Sequence, residues 1–170
     1  MDIKELFFEE PMREFGVREV ARSLKIAPTT ASKKLRSLFK EGFIEHKKER
    51  IYDLYRANRE NEIFKDLKKN YGVKKIRDSG LIKELNKFYG KPSIILFGSV
   101  AKGEDTSSSD LDLVIISEKI KEFPQKKQFE KRLKRDIQMF VVKEIKELRN
   151  KHLINNVLNG LVLQGEIKWI

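Results

Sequence analysis

Residues 96–116 read Leu96-Phe97-Gly98-Ser99-Val100-Ala101-Lys102-Gly103-Glu104-Asp105-Thr106-Ser107-Ser108-Ser109-Asp110-Leu111-Asp112-Leu113-Val114-Ile115-Ile116. The apolar run Ile94–Phe97 ends at Gly98-Ser99, and a second run, Leu111–Ile116, opens behind Asp110 and Asp112. The simplest reading is two strands joined by a polar loop. Residues two apart in a strand point to the same side, so Asp110 and Asp112 present two carboxylates about 7 Å apart along one edge, with Leu111 and Leu113 facing the other way. Two anions side by side at the mouth of a buried strand are unfavourable unless one is protonated or a cation lies between them. A divalent ion is the usual answer, and Mg²⁺ suits an all-oxygen site that keeps room for water and phosphate. Gly98 lets the backbone approach a ligand closely, and the amides and hydroxyl that follow it can hold phosphate oxygens. Lys102 adds a nearby positive charge.

The string Gly98-Ser99-x3-Gly103-x5-Ser109-Asp110-x-Asp112-Leu113 resembles the signature of the DNA polymerase β superfamily of nucleotidyltransferases, especially its small, minimal members. The resemblance covers about the last 80 residues. It implies transfer of a nucleoside monophosphate from an NTP to a hydroxyl acceptor, with pyrophosphate leaving. Gly98, Ser99, Lys102 and Ser109 are then the nucleotide-binding residues, and Asp110 and Asp112 hold Mg²⁺ in a two-metal site. Such enzymes carry a third carboxylate on a neighbouring strand, where it activates the acceptor hydroxyl and shares a metal. Asp136, at the start of Asp136–Val142, is the residue that matches. Gln138 lies on the same side and competes for the position, although an amide cannot act as a general base. The sequence leaves open which of the two occupies it. The acceptor is equally open, because relatives use RNA 3′ ends, protein hydroxyls and small molecules, and function does not follow from fold.

The outer bounds agree with such a chain. At 170 residues it holds one ordinary domain or two small ones, and with no cysteine it has neither disulfides nor thiolate zinc sites. No apolar run approaches the roughly 20 residues that span a bilayer, and Asp2, Lys4 and Glu5 are unlike a signal peptide, so a soluble cytoplasmic protein with no membrane partner is expected. Charged residues make up 37% of the chain and the net charge is +11, which predicts attraction to polyanions.

Residues 1–57 read as a separate small domain. Ile3, Leu6, Phe7 and Phe8 share a helical face until Pro11; Val17, Val20, Ala21 and Leu24 make a second amphipathic segment that turns at Lys25-Ile26-Ala27. Pro28 fits the first position of a third helix that runs to about Lys40. Ala31, Leu35, Leu38 and Phe39 face inward along it, and Gly42 ends it. Phe43-Ile44, the basic stretch His46–Arg50 and Ile51–Tyr55 then read as a two-stranded hairpin. The order, with Glu41-Gly42-Phe43-Ile44 closing the third helix, resembles the winged helix-turn-helix domains of many prokaryotic regulators. That resemblance implies a third helix in the major groove and a wing on the backbone. From Lys25 to Lys40 there are five basic residues and no acid. Thr29, Thr30, Ser32, Lys33, Lys34 and Arg36 on the helix, with Lys47, Lys48 and Arg50 on the wing, are the candidate DNA contacts, held in a salt-dependent way.

Residues 58–90 form a helical connector. Ile63, Phe64 and Leu67 suggest one helix, Tyr71-Gly72 a break, and Ile76–Tyr89 another helix interrupted near Ser79-Gly80, its apolar stripe packing on the second domain. Residues 91–170 are the nucleotidyltransferase domain. Within them Glu118–Arg135 holds eight Lys or Arg against three Glu, with Phe129 and Leu133 on one helical face. This helix reads as a solvated face or, more sharply, as a surface that receives the acceptor or the triphosphate. Leu153, Ile154, Val157 and Leu158 mark a last helix, Leu161–Leu163 a final apolar segment, and Trp169 a terminal packing residue. His46 and His152 lie far apart in sequence and in different expected domains, and neither has partners at metal-ligand spacing.

The expected fold is therefore α+β, a winged helix-turn-helix followed by a polymerase-β-like domain with a mixed sheet flanked by helices. The expected function is Mg²⁺-dependent nucleotidyl transfer fused to DNA binding. The competing reading is a DNA-binding regulator whose transferase-like half only binds or senses nucleotide. NTP, DNA, a hydroxyl acceptor and a second copy of the chain are the partners this reading admits.

Overall fold

The first helix begins where the sequence supplies its own cap. In the computed structural model, which describes residues 2–168, the Asp2 carboxylate accepts from the Lys4 amide and the Glu5 carboxylate accepts from the Asp2 amide. This reciprocal pair satisfies amides that the first turn leaves without partners. Helix α1 (Ile3–Glu9) buries Ile3, Leu6, Phe7 and Phe8. It is followed by β1 (Phe15–Gly16), α2 (Val17–Leu24) and α3 (Pro28–Lys40). Lys25 ends α2 in the left-handed region, φ 54°, and Pro28 opens α3, where its missing N–H costs nothing. The antiparallel strands β2 (Ile44–Glu49) and β3 (Tyr52–Ala57) make the hairpin.

Two expectations for this stretch need correction. The sequence predicts only two strands here, but Phe15 and Gly16 pair with Tyr55 and Leu54, giving a three-stranded sheet in the order β1-β3-β2. A two-residue strand carries no alternation to read. Phe39, expected in the core, is 47% exposed, and its ring lies 5.7 Å from that of His46 on the hairpin. The core itself is aromatic: Phe7 meets Phe15 edge-on at 5.4 Å, and Phe8 lies against both Phe43 and Phe64.

The chain divides into two compact units between Tyr71 and Gly72. Helix α4 (Glu62–Asp78) runs unbroken through that point, so the break expected at Tyr71-Gly72 is absent. A Cβ on Gly72 would meet the Val100 side chain at 3.0 Å, so this glycine serves close packing inside a helix. The real interruption is at Gly80, which takes φ 81° before α5 (Leu81–Tyr89).

The second unit continues with β4 (Ser93–Phe97), α6 (Gly98–Lys102), β5 (Leu111–Ile116), α7 (Lys126–Leu133), β6 (Ile137–Val142), a 3₁₀ turn (Ile145–Leu148), α8 (Lys151–Leu158) and β7 (Leu161–Gln164). Its strands lie in the order β6-β5-β4-β7; β5 and β6 are parallel and the other pairs antiparallel, a mixed sheet. The parallel pair needs a crossover, and residues 117–136 supply it with α7. Period-two alternation gives the sheet two apolar faces. Ile94, Leu96, Leu111, Leu113 and Ile115 pack with Leu81, Leu85, Phe129 and Leu133, whereas Ile95, Phe97, Val114 and Val142 pack with Ile145 and Val157. Among the described residues no helix is long and apolar enough to cross a membrane. Trp169 lies outside the described residues.

Candidate active site

The loop between β4 and β5 is not wholly irregular, since Gly98 opens the short helix α6 and Gly103 closes it in the left-handed region. Gly98 has φ 73°, and a Cβ built on it would fall 2.0 Å from the Asp112 Oδ2. Both observations demand glycine: a side chain would be strained by the backbone and blocked by the carboxylate. The cause is register, because Phe97 faces Asp112 across the antiparallel pair and the chain turns back directly over the acid.

Asp112 is half-buried, and burial first, then the charge of Asp110, pushes its carboxyl above the usual carboxylate range. The next residues inward on that face are apolar. Val114 follows Asp112 on β5, and the Phe97 and Phe140 rings sit 6.0 Å apart. Among the described residues, neither the Asp110 nor the Asp112 side chain has a hydrogen bond or ion pair. Two adjacent carboxylates over an apolar floor, with no lysine or arginine between them, suit a bound divalent cation.

Asp136 stands one residue before β6, and its carbonyl accepts the Leu111 amide at 2.8 Å. In the parallel register Leu111 lies beside Ile137 and Asp112 beside Gln138, so Asp110 and Asp136 are the next positions outward on neighbouring strands. Asp110, Asp112, Asp136 and Gln138 thus share one face at one end of the sheet. Among the described residues no three His, Cys, Asp or Glu converge closely enough to hold a metal by themselves. Asp110 and Asp136 line a cleft of about 450 Å³ together with Ser107, Ser108, Ser109, Lys127, Glu130, Lys131, Lys134 and Arg135; Gly98, Ser99, Lys102 and Asp112 are not part of its lining.

The expected nucleotide-binding residues divide. The Ser99 hydroxyl has no partner among the described residues, and Lys102 is exposed at the end of α6. Ser109 is engaged by its own loop, accepting from the Thr106 amide at 2.9 Å and, through its carbonyl, from Arg135 at 3.3 Å.

Arg135 is a residue the sequence reading passed over. Its guanidinium donates to the buried Asp105 at 2.6 Å, clasping the loop ahead of Asp110 to the chain just ahead of Asp136. Glu130 adds to this by accepting the Ile137 amide at 3.1 Å. The only signal for either was the charge density of the 118–135 stretch, which does not tell a clasp from a solvated face.

On the N-terminal unit, Thr29, Thr30, Lys33, Lys34 and Arg36 are exposed along α3 and Ser32 is half-buried. The Tyr55 hydroxyl has its pKa raised, first by burial and then by Asp53, with Arg36 acting in the opposite sense. On the hairpin Lys48 and Arg50 are exposed, whereas Lys47 lies 3.9 Å from Glu14 and 3.5 Å from Glu49.

A family model described as a nucleotidyltransferase domain matches residues 78–163, a range that takes in every candidate residue of the second unit and begins beyond the first. Among curated proteins, none matches the chain.

Proposed function

Because the chain belongs to the nucleotidyltransferase domain family, we propose that it transfers a nucleoside monophosphate from an NTP to a hydroxyl acceptor, with Mg²⁺ held by Asp110 and Asp112. The observation that carries this reading is the seating of the Asp112 carboxylate against the Gly98 backbone, beside a second acid and without a cationic partner among the described residues. Gly98 and Ser99 leave β4 on one side of the acids and suit the triphosphate, with backbone amides, the free Ser99 hydroxyl and Lys102 as donors. Mg²⁺ needs only one or two carboxylates when substrate phosphates complete its shell, so Asp110 and Asp112 suffice to hold it. When bound, the metal neutralises the charge on the transferring and leaving phosphates.

Asp136 is the proposed general base, chosen over Gln138 because a carboxylate can accept a proton and an amide cannot. The acceptor oxygen bonds to the α phosphorus and the bond from that phosphorus to the α–β bridging oxygen breaks. Pyrophosphate leaves with the electron pair and the hydroxyl proton passes to Asp136. Asp105 and Arg135 act as positioning residues, holding the loop ahead of Asp110.

Residues 1–57 are the proposed DNA-binding module, a winged helix-turn-helix. Support comes from the order of α2, the turn at Lys25, α3 and the β2–β3 hairpin, and from the exposed cations Lys33, Lys34, Lys48 and Arg50. Thr29, Thr30, Ser32 and Arg36 line the same helix, and Lys47, already close to two carboxylates, contributes least.

Equilibrium binding of a nonhydrolysable NTP, titrated with Mg²⁺, tests the catalytic half. Metal-dependent binding that is lost in Asp112→Asn is expected, and metal-independent binding that survives this substitution would contradict it.

A further inference from the structure

Strand order places the groups around the acids on opposite sides. Gly98 and Ser99 leave β4 and Asp136 precedes β6, with β5 and its two aspartates between them. The cleft that takes in Asp110 and Asp136 is lined on the β6 side by Lys127, Lys131 and Lys134, and it does not include Gly98 or Ser99. The three lysines stand at i, i+4 and i+7, so they share one face of α7 and its end and extend about 10 Å along it.

All three are exposed, and none is paired with an acid among the described residues. Their neighbours are engaged: Lys126 lies 3.6 Å from Glu130, and Arg135 is bound to Asp105. The same lining holds Asp110, Glu130 and Asp136, but Glu130 is engaged by Lys126 and the Ile137 amide, and the row of three ammonium groups creates a local field that attracts and aligns anions. The adjacent Ser107, Ser108 and Ser109 add hydroxyl and backbone groups at the rim.

Resting on the proposed reading, in which Gly98-Ser99 takes the triphosphate and Asp136 the acceptor proton, we infer that the acceptor is the 3′-terminal hydroxyl of a single-stranded nucleic acid, its backbone phosphates lying along Lys127, Lys131 and Lys134. A neutral small molecule brings no anions for this row, a singly phosphorylated one fills one position of three, and a protein hydroxyl brings anions only where acidic side chains flank it, whereas a nucleic acid strand carries one at every nucleotide. The 3′ oxygen forms the new bond to the α phosphorus, pyrophosphate departs with the electron pair, and the proton goes to Asp136. The product is a strand one nucleotide longer.

The test uses the full chain and the variant Lys127→Gln/Lys131→Gln/Lys134→Gln, with Mg²⁺ and NTP labelled at the α phosphate. The acceptors are a short single-stranded RNA, its DNA counterpart, the same strands with a blocked 3′ end, and a serine- and tyrosine-rich protein. Label is expected on an unblocked strand and not on a blocked one. In the triple variant the acceptor KM rises while NTP affinity holds, and the log–log salt dependence of strand binding becomes shallower by about 2, from about 0.7 per phosphate contact. Label on the protein, or an unchanged acceptor KM and salt slope in the triple variant, would overturn the inference while leaving nucleotidyl transfer standing. Absence of Mg²⁺-dependent NTP binding in the wild type would instead overturn the reading on which the inference rests.

Discussion

The Asp112 carboxylate occupies the space that a side chain at Gly98 would need, with Oδ2 2.0 Å from the position of a Cβ there. Gly98→Ala is expected to lose about 1–2 kcal/mol from its left-handed backbone alone, before the clash is counted, and to abolish nucleotide binding by displacing Asp112. Gly16→Ala is the control. Gly16 has φ −82° and nothing within 4 Å of a built Cβ, so it should be neutral or stabilising by up to about 1 kcal/mol. Urea unfolding of the two variants checks the contrast, and equal effects would contradict it.

Asp112 makes stability depend on pH in a definite sense. Its pKa is raised in the folded chain, by burial and then by Asp110, so the folded state holds its proton more tightly than the unfolded state does. The associated stability is fully present below the unfolded carboxyl pKa, about 3.9, and is lost as pH rises through the folded value. Asp112→Asn should therefore unfold at a higher temperature than the wild type at neutral pH in chelator, with the difference vanishing in acid. Mg²⁺ should raise the wild-type midpoint and leave that of the variant unchanged. Thermal scans across pH, with and without Mg²⁺, report both.

Arg135→Met removes the guanidinium that donates to Asp105 and to the Ser109 carbonyl, and losing a charge-assisted hydrogen bond of this kind costs about 1.5–3 kcal/mol. Arg135→Lys should recover only part of this, because one ammonium cannot reproduce two contacts, to Asp105 and to the Ser109 carbonyl, in the same geometry. Denaturant titration measures the loss. If the Met variant is as stable as the wild type, the clasp does not hold the loop ahead of Asp110.

The features that were legible in the sequence follow from short-range rules. Strand β5 opens at Leu111 because apolar residues start there behind two acids, and α3 starts at Pro28 because proline fits a first helical turn. The sequence could not show what depends on a distant neighbour. Gly72 looks like a breaker until Val100 is placed against it, and Phe39 looks like core until the hairpin brings His46 beside it. The Asp105–Arg135 clasp joins residues 30 positions apart inside charge-rich segments, where composition favours many pairings equally. In the site, spacing was enough to select Asp110 and Asp112. The close approach of Gly98 to Asp112, and the separation of the lysine-lined cleft from Gly98-Ser99, came from register and strand order.

For the N-terminal unit, Lys33→Gln/Lys34→Gln should weaken duplex DNA binding across sequences and reduce the log–log salt slope by about 0.9 per lost phosphate contact. Lys47→Gln should change it far less, since Lys47 already lies near Glu14 and Glu49. Gel-shift titrations over a range of salt distinguish the two, and a salt-independent or absent shift would remove the DNA-binding reading.

The most direct test of the central claim is transfer of label from α-phosphate-labelled NTP, in Mg²⁺, by the wild type, Asp110→Asn and Asp112→Asn over a panel of nucleic acid, protein and small-molecule acceptors. The account predicts Mg²⁺-dependent label on an acceptor with the wild type and a loss of at least about two orders of magnitude in either variant. Transfer by the variants at the wild-type rate, or no transfer by the wild type to any acceptor, would contradict it.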